Sequence, residues 1–160
     1  MQEIKITLDK ANQLIKRADH MLYVTYPLIK DNKLIITMAD NIVNGMIYAM
    51  DAVFMYEKLY KRISYYPEDF KEKMRIFKDS IAKRYNIERE HIVAMQDLKN
   101  FLDERKTGST EFVKNDKYMF FSQKQEVKSL GIDKIKQNLN ISKELLRKVN
   151  GILSNVTTRF

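Results

Sequence analysis

The side chains that could do chemistry in this chain are few in kind: two histidines, 21 carboxylates, 29 lysines and arginines, nine tyrosines and no cysteine. Without cysteine there is no disulfide scaffold, no thiolate zinc site and no thiol nucleophile. His91 closes a single Glu-x-x-His, Glu88 to His91, whereas a di-iron bundle needs that motif on two helices with further carboxylates. Asp40, Asn44 and Asp51 fall on one side of a helix, but eleven positions separate the two aspartates. At a rise of 1.5 Å per residue they lie about 16 Å apart, too far to serve one reacting atom. A solvent-facing polar strip is the simpler account. Gly45, Gly108, Gly131 and Gly151 are isolated from one another, so no glycine-rich phosphate loop exists, and no strained nucleophile elbow accompanies either histidine. The sequence points to no metal ligand set and to no cofactor.

Cations and aromatics carry more information. Of the net charge of +8, residues 1–63 contribute +2 (9 basic, 7 acidic), residues 64–98 contribute nothing (7 and 7), and residues 99–160 contribute +6 (13 and 7). The last third is therefore where an acidic partner is expected, RNA or an acidic protein surface. Lys136, Lys143 and Arg147 are spaced by seven and four residues, which puts them on one side of a helix where they could follow phosphates. Lys134 and Lys148 take the other flank. In "KYMFFSQK", Lys117 to Lys124, aromatics stand between lysines, a pattern suited to stacking the bases of single-stranded RNA. The expected nucleic-acid contacts are Lys117, Tyr118, Phe121, Lys124, Lys136, Lys143 and Arg147.

These residues have to be positioned by helices. Four glycines and two prolines in 160 residues are few for a chain of many tight turns. Leu8, Ala11, Leu14, Ile15, Ala18, Met21, Leu22 and Thr25 share one face of a first helix, about 7 to 26, which Pro27 and the "KDNK" of residues 30–33 are expected to break. A second helix is predicted from about Lys33 to Ile63. A third starts at Pro67, with Glu68 and Asp69 at the positive end of its dipole, and ends near Asn86. A fourth runs from about Glu88 to Lys106, stopped by Gly108. Residues 109–128 read as an irregular or extended aromatic segment. The last helix covers about Ile132 to Val156. Its seam is Ile132, Ile135, Leu139, Leu146, Val149, Leu153 and Val156, broken by Ser142, and it packs on the bundle or pairs with a second helix in a homodimer.

From Leu34 to Tyr56 the chain has two charges in 23 residues, long enough to span a bilayer. Both charges are aspartates without a basic partner in the segment, which is costly at mid-membrane. The pattern also runs on into "EKLYKR" as one amphipathic helix, so no membrane span is expected. The charged N-terminal stretch shows no apolar core of a secretory signal. A cytoplasmic protein is the expectation.

The order of long helices, the stretch "GMIYAMDAVFMYEKL" and the basic, Leu-rich "KIKQNLNISKELLRKV" resemble the HEPN group of small helical bundles, many of which act on or bind RNA. That resemblance implies an Arg–His pair for a ribonuclease, and the nearest match is "RYNIEREH", Arg84 to His91. Tyr85 stands where the group has a polar residue, and six residues separate the pair. The chain is also similar to small archaeal all-helical proteins, which implies no activity. The reading is an all-α, single-domain bundle of about five mostly antiparallel helices over residues 1–160. It is expected to act as a non-catalytic module binding RNA or a ribonucleoprotein. The alternatives are a HEPN-like ribonuclease using Arg84 and His91, and a scaffold or homodimer using the last helix.

Overall fold

A computed structural model describes residues 1–157. Helix α1 (Gln2–His20) passes through a π-helical turn, Met21–Thr25, into α2 (Tyr26–Ile29). Of the two expected breakers, Pro27 therefore does not end the helix, and the stretch at residues 30–33 does. Its missing N–H leaves the Tyr23 carbonyl without a partner four residues on, and its ring crowds that carbonyl. The turn just before it widens, and the rod continues. Termination comes at Lys30, whose left-handed backbone (φ 52°, ψ 34°) turns the chain out of the helix.

Helix α3 (Lys33–Leu59) is the central element and packs on α1, on α6 (Arg89–Thr107) and on α7 (Ile132–Ile152). Met38, Ala39, Ile42, Met46, Met50, Val53 and Phe54 are buried on it. Its crossing with α1 is close: a Cβ at Gly45 would lie 2.6 Å from Ile15 Cδ1 and 3.3 Å from the Ala11 carbonyl oxygen. The polar strip lies largely in solvent, with Asp40 and Asn44 exposed. Asp51 is half-buried and accepts from Lys73 Nζ at 2.8 Å. Burial holds the Asp51 carboxyl above its ordinary pKa, while Lys73 pulls it the other way.

The chain leaves α3 at Leu59 rather than Ile63 and crosses to a third rod: α4 (Phe70–Ile76), a π-helical turn (Phe77–Ile81) and α5 (Ala82–Arg84). This rod starts later than Pro67 predicts. Asp69 is the N-cap, its carboxylate accepting from the Glu72 N–H at 3.1 Å, which satisfies a donor that Pro67 would leave open. Asn86 ends it with a positive φ of 55°.

The principal departure from an all-α bundle lies between α6 and α7. There β1 (Ser109–Lys114), β2 (Lys117–Phe121) and β3 (Val127–Gly131) form a three-stranded antiparallel sheet in the order β1-β2-β3. The fold is mostly helical with this small sheet added. Asn115 and Asp116, both at positive φ (52° and 58°), make the two-residue turn that matches strand twist. Tyr118 and Phe120 alternate inward, and the Phe120 ring meets Phe101 of α6 edge-on at 5.1 Å. Gly108 is required at the entry, where a Cβ would lie 2.6 Å from that ring. Helix α7 and the short α8 (Ser154–Thr157) close the bundle. The expected seam is buried at Ile135, Leu139, Leu146, Val149, Leu153 and Val156. Ser142 belongs to it: fully buried, it donates to the Leu139 carbonyl at 2.6 Å.

Candidate nucleic-acid interface

The aromatic–lysine segment is taken apart by its own strand. Tyr118 is only 4% exposed, and Arg105 covers it, with Nε donating to the phenol oxygen at 3.3 Å and the guanidinium 5.5 Å from the ring centroid. No open face remains for a base. Phe121 is half-buried with its ring 5.9 Å from Phe112. Lys117 is exposed at the start of β2 and Lys124 in the turn that follows its end. Lys124 shares a hollow with Glu104, Glu126 and Lys128. Lys117 instead borders a hollow of about 730 Å³ with Lys134 and Lys136, beside Asp116 and Asp133.

The cations of α7 divide between two neighbours. Lys148 donates to the Asn86 carbonyl at 2.8 Å and lies 3.5 Å from Glu88, on the α6 side. Lys143 pairs with Asp19 of α1 and sits 5.8 Å from the Tyr23 ring. Two turns further on, Asn150 donates to Asn12 at 3.3 Å. Rising numbers on α7 meet falling numbers on α1, so the two helices run antiparallel. Arg147 lies between these contacts on α7, and Lys16 lies between them on α1. Lys136 continues the same side toward α2. Among the described residues Lys16, Lys136 and Arg147 have no carboxylate partner. From Lys136 to Arg147 the row spans about 16 Å.

The outer face of α1 extends this row. Lys16, Arg17 and His20 line a hollow of about 590 Å³ against α3, completed by Gln13, Met21, Thr37 and Asn41. The π-helical turn begins at its rim, a local irregularity often found where helices bind. These three residues were hidden in the sequence because Asp9, Asp19 and Glu3 reduce the net charge of the first third. The readable signal was their three- and four-residue spacing opposite the apolar face.

Arg84 and His91 are placed for other tasks. Arg84 donates to Glu57, a carboxylate of α3 with no exposed surface. His91 is 1% exposed and neither ring nitrogen makes a hydrogen bond. Glu144 approaches Nε2 at 3.5 Å, too distant and misaligned to satisfy it. Glu57 also accepts from Arg62 Nη1 at 3.2 Å and from the Tyr85 hydroxyl. Sequence reasoning passed over Glu57, which reads as one more polar residue at a helix end; "EKLYKR" hides that it points inward.

Among the described residues no group of three or more His, Asp and Glu is placed to hold a metal ion, and no helix is long and apolar enough to cross a membrane. Compared with protein-family models, curated proteins and solved structures, the chain matches none. The likeness to HEPN bundles therefore rests on pattern alone.

Proposed function

We propose that the protein is a non-catalytic binding module for RNA, free or within a ribonucleoprotein, and that its contact face is the seam between α1 and α7. The single observation carrying this reading is the set of cations without carboxylate partners among the described residues, Lys16 on α1 and Lys136 and Arg147 on α7, carried by two helices that lie antiparallel against each other. Lys117 prolongs the row at one end, and Arg17 with His20 widens it across α1. Lys143 is half neutralised by Asp19 and contributes position more than free charge. Phosphate contacts of this kind are strong at low salt and indifferent to sequence.

The two alternatives draw less from the arrangement. A ribonuclease using Arg84 and His91 needs an imidazole that exchanges protons with substrate, and the His91 ring is enclosed. A homodimer through the α7 seam needs apolar surface that the chain itself already covers.

Fluorescence anisotropy with a short single-stranded RNA tests the proposal through two triple variants of equal charge change. Lys16→Gln/Lys136→Gln/Arg147→Gln is expected to lose at least about tenfold in affinity, because each side chain is a phosphate contact. Lys71→Gln/Lys78→Gln/Lys83→Gln, exposed on the α4–α5 rod, is expected to change it by less than about threefold. Equal losses would mean that net charge, not this face, attracts the RNA.

A further inference from the structure

At the end of the molecule where α3 and the α4–α5 rod finish, two arginines from separate elements converge on one carboxylate. Glu57 is fully buried, and Arg84 takes one of its oxygens. Arg62 takes the other at 3.2 Å and reaches the Tyr85 hydroxyl at 3.3 Å. Tyr85 donates to the same carboxylate, and its pKa is pushed up to about 12, by burial first and then by Glu57. The phenol is thus neutral and holds the carboxylate in place.

One negative charge and two positive charges leave this cluster with a net +1. Both guanidiniums remain open to solvent, with side chains 39% and 45% exposed. A guanidinium has five N–H donors in a rigid fork. Arg84 commits only Nη1 among the described residues, and Arg62 uses Nη1 twice. The unused donors of two arginines, fixed on a common anchor, form a preorganised fork for a second anion. Lys58 and Lys61, next to the cluster in sequence, are exposed, the latter at a positive φ of 58°, and line a shallow groove with Glu3.

Aromatic surface lies against one of these cations. The Arg62 guanidinium is 5.6 Å from the Tyr56 ring and 5.4 Å from the Tyr60 ring. Tyr60 is 48% exposed, and Tyr65 in the following loop is 69% exposed. An exposed tyrosine beside open guanidinium donors is what a nucleoside phosphate needs: donors for the phosphate and a ring for the base.

We propose that Arg62 and Arg84, held on Glu57, form a binding site for the phosphate monoester of a nucleoside, with Tyr60 as the stacking surface. The nucleotide is free or is the phosphorylated end of an RNA strand. The site is built from α3 and the α4–α5 rod and uses none of the α1/α7 cations, and only the strand-end version rests on the RNA reading.

Calorimetry and anisotropy with three probes test it: adenosine 5′-monophosphate, a short RNA with a 5′ phosphate, and the same RNA with a 5′ hydroxyl. The variants are Arg62→Gln and Tyr60→Ala, both of exposed side chains, with thermal melts to confirm folding. If the site takes strand ends, the phosphorylated RNA binds about tenfold more tightly than the hydroxyl form, and Arg62→Gln removes that preference. If it takes free nucleotides, the monophosphate binds wild type and Arg62→Gln weakens it about tenfold, whatever the RNA face does. Tyr60→Ala weakens either ligand. No monophosphate binding together with equal affinity for both RNAs overturns the proposal. So does a phosphate preference that folded Arg62→Gln retains.

Discussion

Tyr26 and Tyr85 both donate to carboxylates, and both phenols are pushed up to about 12, by burial first and by the carboxylate second. Tyr26 joins three elements: its hydroxyl lies 3.0 Å from Asn32 Oδ1 and 2.9 Å from Asp116 Oδ1 in the hairpin turn. An unfolded tyrosine ionises near 10, so the folded state holds the phenolic proton more tightly. The stability this contributes is fully present below about pH 10 and is lost as pH rises toward 12. Denaturant titrations between these pH values should show a steep loss in wild type. Tyr26→Phe should be less stable at neutral pH by about 1 kcal/mol and should lose less on going alkaline, because phenylalanine does not titrate. His91 gives a second residue-scale prediction. A buried imidazole with neither nitrogen hydrogen-bonded carries a desolvation cost without return. His91→Leu should leave stability unchanged or raise it by about 1 kcal/mol in urea unfolding. It should leave RNA affinity untouched, since the ring has no access to a ligand. A marked loss of RNA binding on this change would bring the Arg84–His91 ribonuclease reading back.

The elements show which physical signals survive in a sequence and which do not. Long amphipathic helices were legible because α1, α3, α6 and α7 repeat apolar positions over many turns. Their ends were less so. Pro27 was read as a breaker, but a rod anchored on both sides by Leu22 and Tyr26 absorbs the missing donor in a wider turn. The sheet was missed because only Tyr118 and Phe120 alternate inward on β2, and β1 and β3 bury almost nothing. The stronger clue was Asn115-Asp116, a turn pair for left-handed backbone. Asn115→Val should destabilise the hairpin by about 1 to 2 kcal/mol, a β-branched residue being strained there; amide exchange across β1–β2 would report it. The α1–α3 crossing was also invisible, since nothing about Gly45 in the sequence says what faces it. With Ile15 and the Ala11 backbone so close, Gly45→Leu should cost about 1 to 3 kcal/mol in thermal or urea unfolding despite leucine's better helix propensity.

At the scale of the whole molecule the candidate interface is a product of the fold. The +6 of the last third drew attention to α7, and that part was readable. The partner helix was not, because the cations of α1 are balanced in sequence by acids that the fold turns elsewhere or pairs. Two helices at opposite ends of the chain lie antiparallel, tied by Lys143–Asp19 and Asn150–Asn12. Lys16 and Arg147 stand between those ties and Lys136 beyond them toward α2, a row of cations without carboxylate partners among the described residues. Stacking, expected from Tyr118, has no place on that row, so binding there should be dominated by phosphate contacts and counterion release. The most direct measurement is the salt dependence of affinity for a short single-stranded RNA, wild type against Lys16→Gln/Lys136→Gln/Arg147→Gln. Three phosphate contacts at about 0.7 each should flatten the slope of log affinity against log salt by roughly two units. Equal slopes for the two proteins would contradict the account, leaving these cations as solvation of the bundle surface.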